Sequence, residues 1–161
     1  MIEKKPRKHK PKIDSLDSKI IVLLQKDGRI SNKAMAKNIG VAESTVRARL
    51  KRLIDKKIVT ITAVSSPFDL GFQTAGNFKI NIDLKKKDKI MQELVAIKEL
   101  WYVVLQTGGT DIDADFIIPS FEDLETLIFE KINRIDGIQK IQTSLIMQYG
   151  KHNFDWGTGV D

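Results

Sequence analysis

Cysteine is absent from the 161 residues. That removes a disulfide framework, a thiolate zinc site and a Cys nucleophile. No apolar run approaches the 18 residues of a membrane-crossing helix. The N-terminus is charged from Glu3 onward and lacks the apolar core of a secretory signal, so a cytoplasmic protein is expected. Histidine occurs only twice, at His9 and His152, which leaves a transition metal without its usual ligands. No HExxH, phosphate-cradling Gly-rich loop or nucleophile–base pair is present. No catalytic residue, metal or cofactor is therefore expected. Asp111, Asp113 and Asp115 could reach a magnesium ion, but nothing supplies a phosphate site beside them.

What is there is ordinary for a globular chain, at 42% hydrophobic and 30% charged residues. The arrangement of charge is less ordinary. Residues 1–66 carry 17 Lys or Arg against 6 Asp or Glu, and residues 67–161 carry 10 against 15. One part is built to meet a polyanion, and the other does something else. A boundary near Ser65, Ser66 and Pro67 fits both the charge change and the turn chemistry. The expected domains are a basic disordered arm (1–12), a helical domain with a linker strand (13–66), a second domain (67–150) and a tail (151–161).

The basic part centres on residues 31–57, two short helices broken at Ile39, Gly40 and Val41. In the second helix Val46, Leu50, Leu53 and Ile54 form one apolar stripe. Arg47, Arg49, Lys51 and Arg52 lie on its other faces, with Ser44 and Thr45 near its start. These are the parts of a helix-turn-helix, whose second helix enters the major groove. Arginine there can bond guanine bidentately, and hydroxyls can reach base or phosphate. Ser31, Ser44, Thr45, Arg47, Arg49 and Lys51 are the expected contacts to double-stranded DNA. A helix before this motif is expected to start at an Asp14 cap, carry Leu16, Ile20, Leu23 and Leu24, and end with Gly28 left-handed. Ala42 is a weak cap for the third helix. Residues 58–64, IVTITAV, read as a strand, which would make the motif winged.

The second part reads strand, helix, strand, strand, helix, strand over 77–84, 89–97, 100–107, 111–118, 121–135 and 138–148. That order gives a ferredoxin-like βαββαβ sandwich, so the fold class is α+β. Helices cover one sheet face, and a second copy is the simplest cover for the other. Lys79 is expected to pair across strands with Asp113 or Asp115. Phe154 and Trp156 lie in the tail, where the sequence assigns no packing partner.

The stretches IDSLDSKIIVLLQKDGRIS, MAKNIGVAESTVRARLKRLIDKKIV and LQTGGTDIDADFIIPSFEDLETLIFEKINRIDGIQKIQTSLIMQ together resemble the Lrp/AsnC (feast/famine) transcription regulators. Asp17, Asp27, Gly28, Arg29, Gly40 and Arg49 match the family's first half. Thr107, Gly108, Asp111, Gly137 and Thr143 match its second. The resemblance implies a winged helix-turn-helix tethered to a ferredoxin-like regulatory domain. It implies dimers through the sheet, higher assemblies such as octamers, and an amino-acid effector bound between dimers. The pocket it implies holds Thr107, Gly108, Gly109, Thr110, Asp111, Thr143 and Ser144. Backbone N–H groups of a Gly-rich turn suit the effector's carboxylate and Asp111 suits its ammonium. A polar effector such as glutamine suits this acidic setting better than leucine. The sequence departs from the family at Ala42, at Lys57 where Gly is common, at Ile112, and at Asp113 and Asp115. An architectural, chromatin-like DNA-binding protein without an effector is the alternative expectation.

Overall fold

The structure, a computed structural model, describes residues 12–160. The expected arm, except Lys12, lies outside the described residues. The described chain divides into two compact units: residues 64–150 form one, and residues 12–63 with 151–160 form the other.

The first unit contains three helices, α1 (Ser15–Lys26), α2 (Asn32–Ile39) and α3 (Glu43–Asp55). Asp14 and Asp17 close a reciprocal capping box at the start of α1, satisfying two backbone N–H groups the helix cannot pair itself. Ser31 caps α2 by accepting from Ala34 N at 3.1 Å. Gly40, at φ 80°, makes the left-handed turn into α3. Ala42 offers α3 no side-chain cap, as its residue type requires. The apolar stripes meet in a core of Ile20, Leu24, Met35, Ala36, Val46 and Leu53.

Two details differ from the sequence reading. Gly28 is not left-handed. Asp27 leaves the helix in an extended conformation, and its carboxylate accepts from Arg29 N at 2.9 Å, so the turn is made by an aspartate side chain. The stretch 58–64 forms no strand, so among the described residues the motif lacks its wing strand. β-branched residues favour a strand only when a neighbouring strand completes the ladder, and none does among the described residues of this chain.

Lys57 has φ 54° and is the only non-glycine with positive φ among the described residues. A left-handed lysine costs ~1–2 kcal/mol, and glycine loses about half of that gain through its freer unfolded chain. Lys57→Gly is therefore expected to stabilise the unit by ~0.5–1 kcal/mol, read as a raised urea midpoint. An unchanged or lowered midpoint would contradict the strain.

The second unit is a four-stranded antiparallel sheet ordered β2-β3-β1-β4. Its strands are β1 (Thr74–Ile82), β2 (Leu100–Leu105), β3 (Ile112–Ile118) and β4 (Ile138–Leu145). The helices are α4 (Lys87–Val95) and α5 (Glu122–Glu125), the latter continuing as a π-helix over Thr126–Ile132. Asn133 N bonds Ile128 O at 2.8 Å, the five-residue spacing of that widened turn. This is the expected βαββαβ order, with strand ends trimmed or moved by a few residues.

Alternation sets the two sheet faces. Phe78, Ile80, Ile82, Ile112, Ala114, Phe116 and Ile118 pack under the helices with Ile90, Leu94, Leu127 and Ile132. Phe78 and Phe116 stack at 4.5 Å between centroids. Gly76 is required beside them, because a Cβ there would fall 2.4 Å from both Ser144 O and the Phe116 ring.

Candidate nucleic-acid interface and effector loop

The apolar stripe of α3 is buried through Val46 and Leu53, and this fixes which side chains turn outward. Ser44, Arg47, Ala48 and Lys51 are exposed, and Thr45 is half-buried. Arg47 pairs with Glu43 at 2.6 Å and Lys51 with Asp55 at 2.7 Å, both pairs one turn apart. Such exposed pairs contribute only ~0.3–0.5 kcal/mol. Phosphates can displace the acids at little cost. The Ser44 and Thr45 hydroxyls have no hydrogen-bond partner among the described residues. Ser31 accepts from α2's backbone and keeps its hydroxyl proton for donation.

Arg49 is placed differently from the expectation. It bonds Asp14 and lies 3.3 Å from Asp17, while Arg52 bonds the other oxygen of Asp17. Asp17 is 1% exposed, whereas each arginine side chain is about one-third exposed. Arg49 thus faces α1, and its guanidinium is spent on holding α3 to the capping box rather than shown to a groove. The sequence could not show this, because the carboxylates it meets lie 35 and 32 residues away.

The network leaves a trace in acid. The backbone N–H of Asp17, and then the Arg49 guanidinium, lower the Asp14 carboxyl from 3.8 to about 2. The unfolded chain takes up that proton first, so Asp14's contribution is complete above pH 3.8 and disappears as pH falls toward 2. Acid unfolding of Asp14→Asn, followed by far-UV circular dichroism, is expected to be flatter than wild type across that window. Superimposable curves would exclude the linkage.

In the second unit, residues 106–111 connect β2 to β3. Gln106 N bonds Asp111 O at 2.9 Å, and the Gln106 amide donates to Thr110 Oγ1 at 2.9 Å. Thr107, Gly108 and Gly109 are exposed. Asp111 Oδ2 accepts from Ile82 N at 3.0 Å and from the Asn81 amide at 3.4 Å. Both bonds fall on one oxygen, so Oδ1 is uncommitted.

Thr143 and Ser144 do not join this loop within one protomer. Thr143 pairs with Phe78 and Ser144 with Asn77 on β4, two strands from β3. Rung and strand spacings put Thr143 roughly 14 Å from Asp111. Adjacent strand residues also point to opposite faces, so Thr143 and Ser144 cannot both line one face of a pocket. A cavity of about 130 Å³ in this unit lies elsewhere, lined by Glu99, Pro119, Asp123, Thr126, Leu127 and Lys131. The Glu99–Lys131 ion pair at 2.8 Å borders it and holds Glu99 below the usual carboxylate range.

The open sheet face also corrects an expectation. Lys79 stands opposite Asp113 in the ladder but makes no ion pair with it. Instead the Asn77 amide donates to Asp113, and to Asp115 at 3.0 Å. A neutral amide reaches two carboxylates on one face without an ion pair's demand for charge balance. Nothing in the alternation of this strand singled Asn77 out.

The sequence matches the AsnC-type helix-turn-helix domain over residues 13–54 and the Lrp/AsnC ligand binding domain over residues 78–154. It is 32% identical to an uncharacterized HTH-type transcriptional regulator of Pyrococcus horikoshii over 94% of each chain. It is 29% identical to the HTH-type transcriptional regulator FL11 of Pyrococcus furiosus, covering 86% of this chain and 92% of that one. Its fold matches AsnC of E. coli with a TM-score of 0.78 and 25% identity, covering 88% and 97% of the two chains. It also matches a transcriptional regulator of Neisseria meningitidis in complex with L-Met, at a TM-score of 0.79 and 22% identity over 89% and 95%. The chain belongs to the Lrp/AsnC family: it is a DNA-binding transcriptional regulator with a ligand-binding domain, and not an enzyme. None of its described helices is long and apolar enough to cross a membrane.

Proposed function

We propose that this regulator reads specific duplex sequences through Ser44, Thr45, Arg47 and Lys51 of α3, with Ser31 on a phosphate, and that a bound amino acid sets its assembly or its DNA affinity. The observation that carries the reading is the outer face of α3, exposed and basic while the helix itself is anchored by Arg49 and Arg52. The effector site is the 107–111 loop. Its N–H groups suit an α-carboxylate and the uncommitted Asp111 Oδ1 suits an α-ammonium. The Neisseria relative's complex with L-Met supports an amino acid as the ligand class. The acidic, hydroxyl-bearing loop favours a polar one such as glutamine.

Of the two β4 residues, only Ser144 lies on the open sheet face, beside Asn77, so it reaches that ligand only from another copy, and Thr143 is left out of the site. This supports a homodimer through the open sheet face and a higher assembly such as an octamer. A protein that reads chromosomal DNA in this way works in the cytoplasm.

The separation of the loop from Thr143 also favours a second reading, an architectural DNA-binding protein without an effector. One experiment decides between them. Duplex binding is measured over a salt series, with and without each of the twenty amino acids, for wild type and Asp111→Asn. Salt-dependent binding shifted by one amino acid in wild type, and not in Asp111→Asn, is the expected result. Salt-dependent binding that no amino acid shifts selects the architectural reading. No binding at low salt overturns both.

A further inference from the structure

Residues 151–160 contain no helix or strand, yet they cluster with the three helices rather than with the sheet they follow. Their attachment to α1 is specific. The Gln25 carboxamide donates to Gly157 O at 3.0 Å and accepts from Gly157 N at 2.9 Å, a two-bond pairing like one rung of a ladder. Ser18 Oγ donates to Val160 O at 2.9 Å and lies 2.6 Å from Thr158 Oγ1. Thr158 Oγ1 also donates to Val160 O at 2.9 Å. Ser18 and Gln25 are seven residues apart, so both lie on one face of α1 two turns apart. Ser18 is 8% exposed, and a buried hydroxyl needs these partners. Gly157 has φ 79°, a turn that lets the backbone present both its N–H and C=O to one side chain. The tail residues of this contact, Gly157, Thr158 and Val160, lie beyond both family matches, which end at 54 and 154, whereas Ser18 and Gln25 lie inside the first.

We propose that residues 157–160 are an intramolecular clasp on α1, whose closure is set by the unit inserted between the two halves of the attachment. The clasp and α1 are joined through residues 64–150, so its local concentration is fixed by where that unit holds its two ends, on the order of millimolar for a short tether and far less when the ends do not fit. β4 ends at Leu145, five residues before the tail, and just past its end Ile146 N still bonds Ala75 O at 2.9 Å. A ligand or a second copy that shifts β4 therefore shifts clasp occupancy, and by linkage the clasp shifts that ligand's affinity equally. On α1, Ser18 directly follows Asp17, the residue that holds Arg49 and Arg52 of α3. The route proposed from sheet to recognition helix is thus β4, the segment 146–156, the clasp, Ser18, Asp17 and α3. Its regulatory meaning rests on the function proposed above, whereas the clasp does not.

The test is hydrogen exchange of the α1 amides in the full chain, without DNA or amino acid, so failure here is distinguishable from failure of the regulator reading. Four variants are compared: Gln25→Ala, Thr158→Ala, Lys26→Ala as a control on the same helix, and a chain with a protease site inserted between Gly150 and Lys151. Gln25→Ala and Thr158→Ala are expected to speed α1 exchange on the order of tenfold, the scale of one net hydrogen bond, and Lys26→Ala is not. Cleavage at micromolar protein is expected to give the same acceleration although every residue is still present. Unchanged exchange in both Gln25→Ala and Thr158→Ala would overturn the clasp. Unchanged exchange after cleavage would overturn its control by the inserted unit.

Discussion

Asp17→Ala is expected to cost the three-helix unit ~3 kcal/mol or more, the scale for leaving one side of a buried ion pair alone. Asp17 is 1% exposed and takes Arg49 on one oxygen and Arg52 on the other. Its Oδ2 also accepts from Asp14 N in the capping box. Removing it takes a cap from α1 and two anchors from α3 together. Both arginines keep about one-third of their side-chain surface in water, which holds the cost to the lower end of the 3–5 kcal/mol range. Arg49→Ala and Arg52→Ala leave Asp17 one partner each and should cost less, and the Asp17/Arg52 double-mutant cycle should show strong coupling. Urea unfolding followed by circular dichroism measures all four chains. A loss below ~1 kcal/mol in Asp17→Ala would class the network with ordinary surface ion pairs.

Arg47→Ala is expected to weaken specific DNA binding by ~1–3 kcal/mol, on the order of ten- to a hundredfold, and to narrow the gap between specific and random duplexes. Releasing Arg47 from Glu43 costs almost nothing, so nearly all of the base contact proposed for it would appear as affinity. Lys51→Ala should weaken both duplexes alike and lower the salt slope by about one. Arg49→Ala separates the two roles: it should lower stability while leaving the specific-to-random ratio of the folded protein intact. Titration of labelled duplexes over a salt series reads all three. A ratio that falls in Arg49→Ala but not in Arg47→Ala would reverse the assignment of inner and outer arginines on α3.

The elements legible in the sequence were those whose signal is carried by near neighbours. The stripe of Val46, Leu50 and Leu53 fixed α3, and the alternation through Phe78, Ile80 and Ile82 fixed β1, because burial repeats with the period of the backbone. Ser31, Asp14 and Gly40 announced their turns through their own chemistry. What was not legible depended on partners distant in the chain. Residues 58–64 have strand composition, but a strand is completed by its neighbour. Arg49 looked equivalent to Arg47 until Asp14 and Asp17 were brought against it. Thr143 and the 107–111 loop share a family motif, yet two strand spacings separate them in one chain. The π-helical turn over Thr126–Ile132 was hidden because Leu124, Leu127, Ile128 and Ile132 still read as an ordinary helix.

The attachment of Gly157, Thr158 and Val160 to α1 carries a consequence for biosynthesis. Protein chains are made from the N-terminus, and early domains usually begin folding while later ones are still being translated. Here the helices that read DNA emerge first, but their last hydrogen bonds come from residues 157–160. The ribosome must therefore finish the whole regulatory unit before the DNA-reading unit is complete. A product broken off after residue 63 would carry all three helices without the contacts that close them. The order of translation thus sets nascent chains that reach residue 160 apart from shorter fragments before any of them meets DNA.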